Sequence, residues 1–178
     1  MSKSIALLSL IALLTAHAVA SETYQESADF IDSVFRRSSP QTGSVWITKE
    51  LIGPIEEILG HTPGVRRVRY WGQGERTAWI LEEIGKEKLI TTGIVIDNGR
   101  VERIKVLVFR ESRGWEIRYP FFTDQFTGVT LTEEHKLDRT IDGISGATLS
   151  VTAMKKLARL ALYFDQQIRL TNDPSPEE

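Results

Sequence analysis

The chain has 178 residues, a near-balanced formal charge of −2 and no cysteine. The length suffices for one domain with a substantial core, and the charge excludes the basic footprint of a nucleic-acid-binding protein. The lack of cysteine excludes disulfides, thiolate-bound iron–sulfur clusters, thiol nucleophiles and CxxCH haem sites.

The first twenty residues have the pattern of a secretory signal peptide. Lys3 supplies a positive charge, residues 5–14 are almost entirely apolar, and Ala18-Val19-Ala20 offers a small-residue cleavage site. The apolar stretch is shorter than the ~20 residues of a membrane-spanning helix. We expect cleavage after Ala20 and export to the periplasm; the alternative is an uncleaved anchor.

Residues 21–64 are predicted to form an N-terminal helical segment. Apolar residues at helical spacing indicate a helix over Glu22–Phe35, and breakers and polar residues indicate a loop over residues 36–44. A second helix is predicted over Thr48–Leu59. Gly53-Pro54 should divide or kink it, since proline cannot donate the interior hydrogen bond.

Residues 65–170 are predicted to form the main domain. Period-two patterns indicate four strands, and Asn98-Gly99 suits the positive φ angles of a tight hairpin turn. We therefore predict an antiparallel meander, with strands over residues 65–71, 76–83, 89–97 and 100–110.

The second half of this domain is predicted to be helical and irregular. A short helix is expected around residues 119–126, a long amphipathic helix over residues 149–168, and a solvated tail over residues 171–178. The fold class is therefore α+β: an antiparallel meander packed by a long C-terminal helix, with additional N-terminal helices.

One segment before the long helix carries the chemistry. Its two glycines let the backbone approach a ligand closely, and the unpaired N–H groups and dipole of the following helix favour a phosphate. The alternative is an ordinary helix start, with Ser145 or Thr148 as N-cap. The segment reads Asp142-Gly143-Ile144-Ser145-Gly146-Ala147-Thr148.

This segment resembles the D-G-x-(S/T)-G-A-T flavinylation motif of the FMN-binding domain family. That family includes the C subunit of the sodium-pumping NADH:quinone reductase and the G subunit of the Rnf complex. The resemblance implies that Thr148 is joined to the FMN phosphate as a phosphodiester by a flavin transferase that uses FAD and magnesium. It also implies that Ser145, Gly146 and Ala147 shape the phosphate pocket, that Asp142 belongs to the recognition sequence, and that Gly143 is a cofactor-binding residue.

A second segment, Glu111-Ser112-Arg113-Gly114, resembles the family's E-T-P-G loop, with serine and arginine in place of threonine and proline. The small exported members also share its spacing to the aromatic residues near position 121. By this resemblance, Glu111 and Ser112 hydrogen-bond the flavin or its ribityl chain, and Arg113 or Arg118 lies near the phosphate.

Other side chains give weaker signals. His135 stands among acidic residues. This pattern is consistent with a solvated acidic surface and, alternatively, with a metal site. Four aromatic residues could stack on a flavin or fill the core: Trp71, Tyr119, Phe121 and Phe126.

We expect a periplasmic electron carrier with covalent FMN and no catalytic residues or resident metal of its own. By resemblance, its electrons come from a membrane-bound reductase or cytochrome and pass to another carrier. The alternatives are a non-redox exported binding module, and an enzyme with dissociable FMN that reduces a small acceptor.

Overall fold

Four strands follow one another along the chain as the predicted meander. The computed structural model describes residues 21–36 and 38–172. Asn98 and Gly99 have φ angles of 50° and 73°, as the hairpin turn requires. The strands are β3 (Arg67–Gln73), β4 (Arg76–Ile84), β5 (Leu89–Asp97) and β6 (Arg100–Phe109).

Two further strands extend this meander to a six-stranded antiparallel sheet, in the order β1-β6-β5-β4-β3-β2. They are β1 (Glu22–Thr23) and β2 (Gln41–Trp46). The predicted loop over residues 36–44 was therefore wrong in its second half. The sequence of β2 is mostly polar, but its backbone pairs along the outer edge of β3, with buried Val45 opposite Val68.

The helices also differ in detail from the prediction. Helix α1 (Ser27–Val34) starts later than expected, because β1 pairs with β6 instead. Helix α2 (Lys49–Leu59) runs unbroken through Pro54, so the predicted division is wrong. None of the helices in the described residues combines the length and apolarity needed to cross a membrane.

Helix α4 (Thr148–Asn172) is the long C-terminal helix that the sequence predicted. It continues through the first two residues of the predicted tail, and residues 173–178 lie outside the described residues. The predicted signal peptide, residues 1–20, also lies outside them.

The sheet is covered on both faces. Helices α2 and α4 pack on one face, where Trp79 contacts Phe164 at a ring-centroid distance of 5.7 Å. Helix α1 packs on the other, where Phe30 lies so close to Gly93 that a Cβ there would be 2.6 Å from its ring. Coverage on both faces explains why residues 90–96 of β5 are all buried, rather than buried and exposed in alternation.

A buried polar chain ties α4 to β4. The hydroxyl of Thr77 accepts a hydrogen bond from the indole N–H of Trp79 and donates to the carboxylate of Asp165. Burial raises the pKa of Asp165 to about 6, so at neutral pH the carboxylate is charged. Arg169 donates to it from 2.7 Å and thereby balances the charge.

Between β6 and α4 the chain forms three short helical turns and an irregular segment. The turns are a 3₁₀ helix (Trp115–Arg118), helix α3 (Pro120–Thr123) and a second 3₁₀ helix (Asp124–Phe126). Where the sequence predicted one short helix, the chain turns repeatedly. These turns bury Ile117, Phe122 and Phe126 against the sheet and bring the loop after β6 to the start of α4.

Candidate cofactor-binding site

The motif segment leads directly into α4, with Thr148 as the first helical residue. Gly146 has a φ angle of +81°, a left-handed conformation that glycine adopts without strain. It lies within a turn that is closed by a hydrogen bond of 3.0 Å, in which the N–H of Ala147 donates to the carbonyl of Ile144. The N–H of Val151, in the first turn of α4, donates a hydrogen bond to the carbonyl of Ala147 at 2.9 Å.

The first turn of α4 carries N–H groups without acceptors. In the part of the chain that the structure describes, no backbone or side-chain atom accepts from the N–H of Thr148, Leu149 or Ser150. Neither Ser145 nor Thr148 makes a side-chain capping bond there. Both residues are exposed, so the hydroxyl of Thr148 stands in solvent beside three free donors.

Gly114 brings the second predicted segment against this helix start. It has a φ angle of +87°, and a Cβ built on it would lie 2.5 Å from the hydroxyl oxygen of Ser150 and 3.4 Å from the Cβ of Ala147. Only glycine permits so close a contact. The two segments predicted from the sequence, residues 111–114 and 142–148, are therefore adjacent in the fold.

Glu111 holds a neighbouring turn. Its Oε1 accepts hydrogen bonds from three consecutive backbone N–H groups, those of residues 86–88, at 2.5, 2.7 and 2.8 Å. These residues form the turn between β4 and β5. Burial raises the pKa of the Glu111 carboxyl, but the three N–H groups lower it by more, and the net pKa lies below its ordinary value.

The remaining predicted side chains divide into free and engaged groups. Ser112 and Arg113 are exposed, next to Gly114 and the helix start. Arg118 is engaged in an aromatic cluster: its guanidinium lies 4.5 Å from the ring centroid of Tyr24 and 4.9 Å from that of Tyr119. Its availability to a phosphate is therefore reduced.

The motif segment is fixed at its other end by Gln125. The side-chain oxygen of Gln125 accepts from the backbone N–H of Asp142 at 2.7 Å, while Asp142 and Gly143 themselves are exposed. The motif is thus held between the short turns and α4, with its polar side chains presented to solvent.

Exposed aromatic rings lie beside the site. Trp115, which follows Gly114, is 41% exposed, and Phe121 is 62% exposed. Tyr119 stands between them, with ring-centroid distances of 5.7 and 6.3 Å. Trp115 was not among the residues predicted from the sequence. Its position directly after Gly114 was the feature that could have indicated it.

Two of the aromatic residues predicted from the sequence to stack on a flavin lie away from the start of α4. Phe126 is fully buried and packs edge-on against Phe122, at 5.5 Å. Trp71 lies on β3 and packs with the α1 cluster. Neither ring is available to a ligand at the start of α4.

His135 faces one acid and one ring. Its Nδ1 is 3.4 Å from Glu57, and its ring meets Tyr163 edge-on at 5.1 Å. Across the described residues, no three histidine, cysteine or acidic side chains are grouped to hold a metal ion.

Residues 85–163 match the family model described as "FMN-binding domain". The match begins at the turn held by Glu111 and ends in α4, so it includes Gly114 and the complete motif. No curated protein matches the chain. The site fits the phosphate of such a cofactor, because free N–H donors and an exposed hydroxyl meet at a glycine that permits close approach.

Proposed function

The chain belongs to the FMN-binding domain family through residues 85–163, and on this premise we propose that it is an exported electron carrier with FMN joined to Thr148. FMN supplies one- and two-electron redox chemistry, and the protein supplies attachment, orientation and electrostatics. We propose no independent turnover of a substrate.

The observation that carries this proposal is the position of Thr148. Its exposed hydroxyl stands at the start of a 25-residue helix, beside three N–H groups that have no acceptor among the described residues. A phosphodiester keeps one negative charge. The helix dipole stabilises such a charge by ~0.3–1 kcal/mol, and by up to ~2 kcal/mol where it is partly buried.

The residues around Thr148 divide the remaining tasks. Gly146 and Ala147 set the backbone of the phosphate pocket, and exposed Ser145 and Ser112 can donate to phosphate or ribityl oxygens. The exposed rings of Trp115, Tyr119 and Phe121 offer an apolar surface on which the flavin ring system is oriented and partly shielded from water.

Maturation requires a separate flavin transferase with FAD and magnesium. In that reaction the hydroxyl oxygen of Thr148 would form the bond to the FMN phosphorus of FAD, AMP would be the leaving group, and the hydroxyl proton would pass to solvent. The exposed Asp142 and Gly143 are accessible for recognition by that enzyme.

The proposed partners are a membrane-bound reductase or cytochrome on one side and another periplasmic carrier on the other. Transient redox contacts use small interfaces, below ~1,200 Å².

The residue assignment is tested with Thr148→Ala, produced together with a flavin transferase. We expect the flavin fluorescence of the denatured protein band to disappear while the far-UV circular dichroism stays unchanged. The matched control is Thr152→Ala, because Thr152 is also exposed and lies one turn further along the same helix. This control should keep full fluorescence.

Two results would contradict the proposal. Full retention of flavin by the Thr148→Ala protein would exclude Thr148 as the attachment point. Flavin that leaves the wild-type protein on acid precipitation would indicate a dissociable cofactor and favour an enzyme that reduces a small acceptor.

A further inference from the structure

Strands β3 and β4 pair over only part of their length. Their pairing runs from Gln73 opposite Arg76 to Tyr70 opposite Trp79. Beyond this point β3 stays paired with β2, and β4 stays paired with β5 as far as Ile84. Two strand edges, residues 67–69 and 80–84, therefore face each other with no strand between them in the described chain.

A cavity of about 530 Å³ occupies this gap. Val68 and Leu81 line it on the side of α4, together with Leu160 and Phe164 from that helix. Two exposed apolar side chains also line it: Val65 and Ile84 are 56% and 53% exposed. A volume of this size is in the range of ligand-binding clefts, and exposed apolar groups around it are typical of a binding surface.

The carboxylates of β4 at this cleft already have cationic partners. Buried Glu83 receives Lys156 at 3.2 Å and His61 at 3.1 Å, and Glu82 lies 3.5 Å from Arg110. On the opposite edge, Arg67 and Arg69 are exposed and line the same cavity. Arg67 also lies over the Trp46 ring at 5.4 Å, and within the described residues neither arginine has an ion-pair partner, so the β3 side of the cleft is positively charged.

We propose that this cleft binds an extended segment of a partner protein, with alternating apolar and acidic side chains, as an added strand between β3 and β4. Strand edges need partners with N–H and C=O groups at regular spacing, and an extended peptide supplies them on both sides. Side chains alternate between faces. Apolar ones enter the core beside Val68 and Leu81, and acidic ones reach Arg67 and Arg69.

The length of the free edge sets the size of the segment. From Ile80 to Ile84 an extended chain covers about 13 Å, which corresponds to roughly five residues. The cleft is also separate from Thr148. Leu160 and Phe164 lie roughly 18 and 24 Å further along α4, so peptide binding can be measured with or without flavin and does not depend on the proposed electron transfer.

The probe is a fluorescein-labelled peptide of about seven residues, in which valine and glutamate alternate. Its binding to the mature chain is followed by fluorescence anisotropy. We expect saturable binding, with slowed amide hydrogen exchange at residues 80–84. A valine–lysine peptide of equal length, and valine–glutamate peptides N-methylated at alternate positions in either phase, should bind at least tenfold more weakly.

Protein variants separate this site from general charge attraction. Arg69→Glu should weaken binding of the valine–glutamate peptide about tenfold. Lys105→Glu makes the same charge change at an exposed position of β6 and should leave binding unchanged. The proposal is overturned if the peptide does not saturate, if the N-methylated peptides bind equally well, or if both variants weaken binding alike.

Discussion

Gly114 is the residue at which the two segments of the candidate site meet. Its φ angle of +87° costs a residue with a side chain about 1–2 kcal/mol. The contact with Ser150 adds a steric requirement, because an added Cβ would lie 2.5 Å from the hydroxyl oxygen. One glycine thus sets both the direction of the loop and its distance from α4.

Gly114→Ala should lower the free energy of unfolding by about 2–4 kcal/mol, measured by urea denaturation. The control is Gly74→Ala, where φ is +56° and no atom lies within 4 Å of the added Cβ; there we expect only ~1–2 kcal/mol. Adding Ser150→Ala to Gly114→Ala should recover part of the loss. If Gly114→Ala and Gly74→Ala lower the free energy of unfolding equally, the contact with Ser150 does not contribute to the cost of a side chain at position 114.

At this scale the sequence predicted more of the motif than of its surroundings. Thr148 and its neighbours were predicted as site residues by resemblance, and their position at the helix start follows from local glycines and helix periodicity. The contact of Gly114 with Ser150 could not be predicted, because it joins distant segments through the packing of the turns after β6. The same holds for Glu111, whose partners, residues 86–88, are in another turn.

At the scale of elements, Glu111 links the loop after β6 to the turn between β4 and β5. Three N–H groups on a single carboxylate oxygen stabilise its ionised form. Since the folded-state pKa is lowered, this contribution to stability is present above the unfolded pKa and is lost as pH falls through the folded value.

Glu111→Gln should therefore lower the free energy of unfolding by about 1–2 kcal/mol at pH 7, because the neutral amide is a weaker acceptor. The difference from wild type should shrink as pH falls below ~4.3, the ordinary pKa of glutamate, and denaturation curves at several pH values measure it. Glu87→Gln is the control: Glu87 is exposed in the same turn. A difference that is constant with pH would contradict the role of the Glu111 charge.

The strands of the meander were predicted correctly because local sequence patterns indicate them. Strand β2 was missed because it forms through pairing with a distant strand. The four meander strands have residue patterns typical of strands, and a hairpin turn at Asn98-Gly99 joins the last two, so their positions followed from the sequence. Strand β2 starts with Gln41 and Thr42 after a proline, which locally favours a loop. It is a strand because the free edge of β3 pairs with it, a long-range effect that local propensity does not contain.

At the scale of the whole molecule, the sheet joins two regions with different tasks. The family match begins at residue 85, after β1 to β4, yet β4 and β5 pair along their whole length. The proposed flavin site lies at the start of α4, and the proposed peptide cleft lies beside β3 and β4. The segment before the match is thus part of the sheet, and in this account it provides the contact with a partner.

The most direct measurement is the intact mass, under denaturing conditions, of the exported protein produced with an active flavin transferase. We expect a chain starting at Ser21 whose mass is increased by one FMN less water, with the addition mapped to the peptide that contains Thr148. An unmodified mass, obtained while the same transferase modifies a control substrate, would contradict covalent attachment and favour a non-redox binding module.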